Sequence, residues 1–299
     1  MKTEKSFNPR RILCPVDLSD LSTLALKYAA VGARAFEAEL TVLHAIHFEL
    51  PPYFTRAQSD QFMRQLKEAR RAARSHLAAR VGRTLGDAAR RIAVRYAVVE
   101  RQPADAILEA VEKGGQELVV MGTHGRTAAS RFLLGSVTEN VVRHAQIPVF
   151  VVRQKQHEFI DPNHPEALPK LERILCPVNY TDAARSSLAQ AASLAQRFNA
   201  TLTVLHTVEP GERQSVARAT SELCSWIPKT VATQCAIQPL VRRGHAAEQI
   251  IKFVRDAKQD LIVLGAQPRR RLPSVFFGET TDLVLRHAPV PVLISPGPA

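Results

Sequence analysis

The chain has 299 residues, of which 45% are hydrophobic and 23% charged, and this predicts a globular protein of about two domains. No apolar stretch approaches the roughly 18 residues that a membrane-spanning helix needs, so no such helix is predicted. The net charge of +12 is unevenly distributed. Residues 1–155 contain 24 Lys and Arg against 15 Asp and Glu, whereas the remainder contains 16 against 13. The first half could therefore attract nucleic acid, acidic lipid or a polyanionic ligand.

The start of the chain and the cysteines point to the same compartment. Residues 1–11 are polar and basic and lack the apolar segment of a secretory signal, so a cytoplasmic protein is predicted. Cys14 and Cys176 lie in apolar, strand-like runs, where a free thiol behaves as a small hydrophobic side chain. Cys224 and Cys235 have no neighbouring His pair at zinc-site spacing, and a redox role stays open for them.

Strands and helices alternate along the first half of the chain. This alternation predicts a parallel sheet that is covered on both faces and joined by right-handed crossovers. The apolar runs that predict strands lie at residues 11–16, 40–46, 92–98, 118–121 and 149–152. The helical patterns between them cover about 22–36, 56–85, 103–113 and 137–144.

The second half repeats the first. The segment Arg-Ile-Leu-Cys-Pro-Val-Asp at 11–17 returns as Arg-Ile-Leu-Cys-Pro-Val-Asn at 173–179, and Leu-Thr-Val-Leu-His ends at His44 and again at His206. Both pairs are 162 residues apart, whereas Arg-His-Ala near the end of each copy returns after 143 residues. The chain is therefore a tandem duplication whose second copy is shorter after its second strand. The two matching histidines are interpreted as structural.

The duplication predicts two tandem open parallel-sheet α/β domains. Their predicted bounds are 1–155 and 171–299, joined by the polar, Pro-containing linker 156–170. The last strand of each copy, Val149–Val152 in the first and 290–294 (from Val290 to Ile294) in the second, would leave a flat apolar edge. Pairing of these two strands with each other would form a pseudo-dimer within one chain. A homodimer of whole chains is a further possibility.

A glycine-bearing loop follows the fourth strand. Gly122 and Gly125 come directly after the apolar run, and Gly135 and Ser136 precede the last helix. Glycines let backbone N–H groups approach an oxygen closely, and a helix start adds unpaired donors, so this order predicts an anion site. The alternative is a helix cap, because Ser136 and Glu139 have the S-x-x-E spacing of a capping box. The spacing matches neither the Rossmann fingerprint nor the Walker loop.

These four residues match every fixed position of G-2x-G-9x-G-[ST], the nucleotide-binding signature of the universal stress protein family. The residues around them, Val-Met-Gly-Thr-His-Gly-Arg at 120–126 and Leu-Leu-Gly-Ser-Val-Thr-Glu-Asn-Val at 133–141, resemble an ATP-binding member of that family. The resemblance implies the strand order 3-2-1-4-5 in each domain. It also implies a ligand crevice beyond the carboxyl ends of strands 1 and 4, where the strand order reverses.

The resemblance also implies where each part of the ligand lies. The nucleobase would contact the residues after strands 1 and 2, the ribose and phosphates would contact the glycine loop, and the terminal phosphates would contact the helix start. The predicted nucleotide-binding residues are Pro15, Val16, Asp17, Ala45, Ile46, Met121, Gly122, His124, Gly125, Arg126, Gly135, Ser136, Val137 and Thr138.

Several of these residues have an alternative interpretation. Asp17 could cap the next helix or form an Asx turn, and Ala45 and Ile46 could be plain core. Arg126 could be a solvated loop charge. His124, the one candidate general base in the loop, could be ordinary polar surface.

The second copy lacks the pattern. Its equivalents are Gly265, Pro268, Gly278 and Glu279, and Asn179 replaces the aspartate after strand 1. Proline removes a backbone donor, and a glutamate at the helix start places a negative charge where a phosphate would bind. The second copy is therefore predicted to be a degenerate partner domain whose crevice is sealed against phosphate.

Residues 64–83 form a basic stretch of the long helix, interpreted as a solvated face. The opposite face, with Leu66, Ala69, Ala73 and Leu77, is expected to point inward. Sequence-specific nucleic-acid binding is not predicted, because no recognition-helix fold, zinc finger or aromatic platform accompanies the charges. The basic residues are Arg64, Lys67, Arg70, Arg71 and Arg74 on one face, with Arg80 and Arg83 off that face.

Together these features predict a tandem universal stress protein that binds ATP, with Mg²⁺ carried by the nucleotide, and acts in stress adaptation as a nucleotide-dependent regulator. Hydrolysis is expected to be slow or absent, because the sequence shows no Walker lysine, metal-binding carboxylate pair or nucleophile–base pair. The alternatives are a basic scaffold that binds nucleic acid or another polyanion, and an interaction module independent of nucleotide. An adenylate-handling enzyme would need an S-G-G-x-D-S or H-I-G-H motif, and the chain has neither.

Overall fold

The computed structural model describes residues 7–46, 56–123, 134–153, 158–266 and 278–297, and of residues 56–61 and 63–65 the backbone alone. These residues form one ten-stranded sheet with helices on both faces. The strands are β1 (Arg11–Pro15), β2 (Glu39–Ile46), β3 (Val94–Glu100), β4 (Leu118–Gly122), β5 (Val149–Val152), β6 (Arg173–Pro177), β7 (Thr201–Val208), β8 (Ile237–Arg243), β9 (Leu261–Ala266) and β10 (Val292–Pro296).

Helices connect the strands within each copy. A 3₁₀ helix, Gly86–Arg91, follows the long second helix. The α-helices are α1 (Asp20–Phe36), α2 (Arg56–Leu85), α3 (Pro103–Gly114), α4 (Ser136–His144), α5 (Asp182–Phe198), α6 (Val216–Trp226), α7 (Lys229–Ala232), α8 (Ala246–Asp256) and α9 (Glu279–His287). Among the described residues, no helix is both long and apolar enough to cross a membrane.

The strand order across the sheet is β3-β2-β1-β4-β5-β10-β9-β6-β7-β8. Each copy therefore has the order 3-2-1-4-5, and the predicted α/β class with tandem parallel sheets is confirmed. The order reverses between β1 and β4 in the first copy and between β6 and β9 in the second. Each copy thus has a crevice position at the carboxyl ends of these strands.

The two copies meet at their last strands. β5 and β10 are antiparallel, with Val149 opposite Ile294 and Val151 opposite Val292, whereas the other strand pairs of the sheet are parallel. Arg153, just beyond β5, is buried and donates from Nη1 to the Leu285 carbonyl at 2.9 Å. Burial lowers the pKa of this guanidinium from its ordinary value.

Side chains alternate between the two faces of the sheet, and each face has its own core. Ile12 and Cys14 of β1 belong to a core that also contains buried residues of α1, α2, α5 and α6, while Leu13 between them belongs to the core on the opposite face. Both cores run through the two copies without interruption. Cys14 and Cys176 are fully buried, and burial raises the pKa of both thiols, that of Cys176 to about 12, so both are inert core residues as predicted.

Two expectations about the long helix have different outcomes. The predicted bounds of α2 are confirmed, and its replacement by the shorter α6 and α7 accounts for the shorter second copy. The inward face is only partly confirmed, because Leu77 is buried but Ala69 is exposed. A 30-residue helix is about 45 Å long, more than an eight-residue strand spans, so the first half of α2 extends beyond the sheet it covers.

Candidate functional site

The end of β1 is held by β2. The Val16 N–H donates to the Leu43 carbonyl at 2.8 Å, and His44 donates from Nδ1 to the Val16 carbonyl at 2.7 Å. The second copy repeats the contact, with His206 Nδ1 at 3.0 Å from the Val178 carbonyl. The interpretation of both histidines as structural is therefore confirmed.

Asp17 forms the turn that leads into α1. Its Oδ1 accepts hydrogen bonds from the Ser19 N–H at 3.1 Å and the Ser19 hydroxyl at 2.6 Å, and Ser19 in turn caps α1. The Asx-turn alternative is thus the observed geometry. Leu18 within this turn has a left-handed φ of 67°, and its carbonyl accepts a hydrogen bond from Arg80 Nη2 at 2.9 Å. The sequence reasoning missed Arg80, because a helical projection cannot show which turn of α2 reaches this loop.

Gly122 ends β4 against the first turn of α1. A Cβ atom at this position would lie 2.8 Å from Leu21 Cγ, closer than two carbon atoms can pack. The glycine is therefore required for helix–strand packing, in addition to any role toward a ligand. Its carbonyl accepts a hydrogen bond from the Thr138 hydroxyl at 2.8 Å, which ties the head of α4 to the end of β4.

Thr123 joins the two ends of the glycine loop. Its N–H donates to the Val152 carbonyl at 3.0 Å, and its carbonyl accepts the Gly135 N–H at 2.7 Å. The side chain is almost fully buried. No sequence signal assigned it a role, because it lies between two fixed positions of the glycine pattern. His124, Gly125 and Arg126 lie outside the described residues, so their predicted contacts stay predictions.

The head of α4 carries no side-chain cap. Gly135 is the N-cap residue, with φ −68° and ψ 146°, and Ser136 is the first helical residue. The capping-box alternative is not the observed geometry, because the Glu139 carboxylate accepts from Arg143 at 2.9 Å instead of turning back to the helix start. Burial raises the pKa of Glu139, although Arg143 acts in the opposite direction. Within the described chain the N–H groups of Ser136, Val137 and Thr138 donate to no acceptor, and the exposed Ser136 hydroxyl has no hydrogen-bond partner.

The remaining predicted residues line the same strand ends at different depths. Val16 and Met121 are buried, whereas Pro15, Ala45 and Ile46 are half-buried. Ala45 and Ile46 pack against opposite cores, so their alternative interpretation as core also describes them.

A crevice of about 620 Å³ opens at the carboxyl ends of β6, β7 and β9 in the second copy, and Gly265 and Thr281 line it. Glu279, the first residue of α9, is exposed and is not among the described lining residues. The predicted exclusion of phosphate from this crevice stays a prediction. Pro268 lies outside the described residues. Gly278 is the N-cap residue of α9 and, like Gly135 in the first copy, has no side chain that could cap the helix.

A basic groove of the first copy is lined by residues of β2, β3, α2 and α3. Its volume is about 830 Å³, and Arg70 and Arg74 of α2 line it together with Arg95 and Arg101. Arg95 is paired with Glu39 at 2.8 Å, whereas Arg70 and Arg74 form no ion pair among the described residues. No three His, Cys, Asp or Glu side chains of the described chain are placed to hold a metal ion.

Both copies of the chain match a known protein family. The sequence pattern of the universal stress protein family matches residues 8–153, 170–223 and 229–296. Universal stress protein MJ0531 of Methanocaldococcus jannaschii is 31% identical over 152 residues, which cover 50% of this chain and 85% of the relative. Universal stress protein Rv2005c of Mycobacterium tuberculosis is 25% identical over 297 residues, covering 95% of this chain and 96% of the relative.

A solved structure shares the two-copy fold. The universal stress protein from Archaeoglobus fulgidus DSM 4304 has a TM-score of 0.68 and 20% sequence identity, covering 97% of this chain and 99% of that chain. At this identity the likeness concerns the fold alone. The family pattern, in contrast, extends over both copies, and the chain therefore belongs to the universal stress protein family.

Proposed function

We propose that the first copy, residues 1–155, binds ATP with its Mg²⁺, and that the bound nucleotide regulates the protein's interactions in stress adaptation. The observation that carries this proposal is the head of α4, where the N–H groups of Ser136, Val137 and Thr138 have no acceptor among the described residues. A helix N-terminus with free donors and a positive dipole end attracts phosphate oxygens. The β1–β4 reversal supplies the position that ligands take in open parallel sheets.

The described contacts refine the role of each residue. The Thr138 hydroxyl already donates to the Gly122 carbonyl, so Thr138 would offer its N–H, while the Ser136 hydroxyl remains available to a phosphate. Asp17 keeps Oδ1 on Ser19, which fixes the carboxylate beside the start of α1. The base would occupy the strand ends at Val16, Ala45 and Ile46. Mg²⁺ would arrive with the triphosphate and be held by its oxygens.

The second copy, residues 171–299, would then be a partner domain without a triphosphate site, joined through the linker 156–170. Pairing of β5 with β10 would hold the two domains together as a pseudo-dimer within one chain. We expect fast catalysis to be absent, because the described strand ends bring together no nucleophile and base. A nucleotide bound at the junction of β4 and α4 would lie next to β5, the strand that pairs with the second copy. Its presence or absence could therefore affect the contact between the copies, which is the basis of the proposed regulatory role.

Substitution of Gly122 is a poor test of the site, because any side chain there collides with Leu21 and disturbs the fold. Ser136→Glu is a better test, since Ser136 is exposed and a glutamate in the first helical turn stabilises a helix. It also reproduces the charge that Glu279 has in the second copy. Isothermal titration calorimetry with Mg·ATP should show about one site per chain and binding weakened about tenfold or more in this variant, since a carboxylate near a phosphate is repelled.

Two further variants separate the effect of the charge from the effect of side-chain size. Ser136→Gln introduces a side chain of nearly the same size as glutamate without its charge, so it should bind Mg·ATP more tightly than Ser136→Glu. Asn140→Glu adds the same charge one turn farther along α4, also at an exposed position, and should have a much smaller effect. Equal affinities of the wild-type protein and Ser136→Glu would show that the head of α4 does not contact the phosphates.

One observation favours a second function. Arg70 and Arg74 line the basic groove without ion-pair partners among the described residues, and the chain carries a net charge of +12. A polyanion bound there would dissociate steeply with rising salt and would be indifferent to ATP. Fluorescence anisotropy with a labelled single-stranded oligonucleotide, at several salt concentrations and with an Arg70→Gln/Arg74→Gln variant, distinguishes this scaffold function from nucleotide binding.

A further inference from the structure

The open crevice of the second copy differs chemically from the phosphate site proposed for the first. It lies beyond the carboxyl ends of β6, β7 and β9, and its volume of about 620 Å³ is within the range of small-molecule sites. Asn179 follows β6 at its floor, and Thr280 and Thr281 from the first turn of α9 form one wall. The crevice can therefore admit a small molecule, and the lining side chains determine which one.

Carboxylates outnumber the cationic side chains in the described lining of this crevice. Glu209, Glu212 and Glu222 line it, against Arg213 as the one arginine or lysine among the lining residues described. Such an acidic concentration is unusual in a chain whose net charge is +12. Glu279 at the start of α9 adds a further negative charge next to Thr280. A phosphate would be repelled here, whereas a cation would be attracted.

Two of these carboxylates remain available to a ligand. Glu209 is engaged, because its Oε1 accepts from the Ala246 N–H at 2.9 Å and its Oε2 lies 3.5 Å from His245 Nδ1. Glu222 accepts one hydrogen bond, from Gln214 Nε2 at 2.7 Å. The Glu212 carboxylate accepts none among the described residues. A carboxylate can accept up to about four hydrogen bonds, so Glu212 and Glu222 keep free acceptor capacity.

The segment that carries Glu212 is fixed in place. Arg243 at the end of β8 donates from Nη1 to the Glu212 carbonyl at 3.2 Å and from Nη2 to the Gln214 carbonyl at 2.6 Å. Gln214 in turn donates to Glu222. These contacts fix the backbone at Glu212 and Gln214 and, through the Gln214 amide, the Glu222 carboxylate, whereas the Glu212 carboxylate itself is not part of them.

An aromatic side chain completes the lining. Tyr180 has a left-handed φ of 63°, as does its counterpart Leu18 in the first copy with 67°. The backbone conformation is thus retained, whereas the aromatic ring is new to the second copy. Its ring lies 4.4 Å from that of His206 and meets Trp226 edge-on at 5.5 Å. Burial, and then the charge of Glu222, raise the pKa of Tyr180 to about 12, so the ring is neutral at pH 7.

We propose that this crevice binds a small organic cation with an ammonium or guanidinium group, whose charge is held by Glu212 and Glu222 and whose apolar part packs on Tyr180. A cation near an aromatic face is stabilised by the ring quadrupole, and paired carboxylates supply charge-assisted hydrogen bonds. The ligand class is opposite in charge to the nucleotide proposed for the first copy. The chain would accordingly have two sites with separate ligands.

Trp226 provides a local signal, because it is the one tryptophan of the chain and its ring contacts Tyr180. Titration of the full-length protein with spermidine and with agmatine should change its fluorescence in a saturable way, with matching heat in calorimetry. The Glu212→Gln/Glu222→Gln variant should bind these cations at least about tenfold more weakly, since both charges are lost while the shape is kept. A control variant, Glu172→Gln/Asp256→Asn, makes the same charge change at exposed positions away from the lining and should bind like wild type.

Three results would overturn the proposal. The first is the absence of both a fluorescence change and heat up to millimolar cation. The second is equal affinity of wild type and the Glu212→Gln/Glu222→Gln variant, which would place binding elsewhere. The third is a saturable Trp226 response to Mg·ATP, which would show that the crevice accepts phosphates. Cation binding should persist in Ser136→Glu, so that failure of the nucleotide site and failure of this site are distinguished.

Discussion

Thr138→Val tests the contact that fixes the head of α4. The substitution replaces the hydroxyl by a methyl group of similar shape and removes the 2.8 Å hydrogen bond to the Gly122 carbonyl. The Thr138 side chain is 3% exposed, whereas Gly122 is half-buried. Loss of this partly buried hydrogen bond costs about 1 kcal/mol of the free energy of unfolding. For a cooperative unit of about 150 residues, each kcal/mol lowers the Tm by about 2–4 °C.

The second copy supplies a matched control at the equivalent position. Thr281 is also buried, but it lines the open crevice and its hydroxyl makes no hydrogen bond within the described chain. Thr281→Val should therefore change the free energy of unfolding by no more than about 0.5 kcal/mol. Thermal unfolding followed by circular dichroism compares the two variants, and calorimetry with Mg·ATP should show weaker binding for Thr138→Val alone. Equal Tm shifts for the two variants would refute the assignment of the stabilisation to the Thr138 hydrogen bond.

Three further predictions concern contacts of α2, β4 and the segment between the copies. Arg80→Ala should lower the free energy of unfolding by about 1 kcal/mol, because it removes the donor to the strained turn after β1, whereas Arg83→Ala on the exposed side of α2 should have little effect in the same urea titration. Gly122→Val should lower the Tm by the equivalent of about 1–3 kcal/mol through its collision with α1, even without nucleotide. Between the two copies, Asp161 raises the pKa of His164 by hydrogen bonding and charge. The stabilisation from this pair is complete below the unfolded pKa of about 6.5 and is lost as pH rises through the folded value. Asp161→Asn should return the imidazole pKa toward its ordinary range in an NMR titration.

The secondary structure was predictable where one pattern dominated. The bounds of α2 and β5 agree with those predicted, because a long amphipathic stretch and a short apolar run admit few alternatives. The predicted third strand, residues 92–98, begins and ends two residues before the observed β3. The 3₁₀ helix Gly86–Arg91 ends against Ile92, so β3 begins only at Val94. A 3₁₀ turn has no hydrophobic period of its own, and the sequence therefore gave no sign of it.

The candidate site was predictable as a location but not as a set of contacts. The glycine pattern indicated the junction of β4 and α4, whereas the capping-box alternative at Ser136 and Glu139 is not the observed geometry. Glu139 could pair with either the helix start or Arg143 one turn later, and the sequence contains both options. The role of Gly122 in packing against Leu21 depends on a helix that is distant in sequence. Local patterns cannot report such tertiary contacts.

The two copies show which features a duplicated domain retains and which it can change. The left-handed turn after the first strand, the histidine that holds it and the glycine N-cap of the last helix are present in both, because each is required by the passage from strand to helix. The side chains that project into the crevice carry no such constraint. At the two proposed sites, a serine in one copy and a glutamate in the other would reverse the preferred ligand charge without disturbing the fold. Loss of phosphate binding would then be separable from loss of a binding site, and the open crevice of the second copy is the structural reason to separate them.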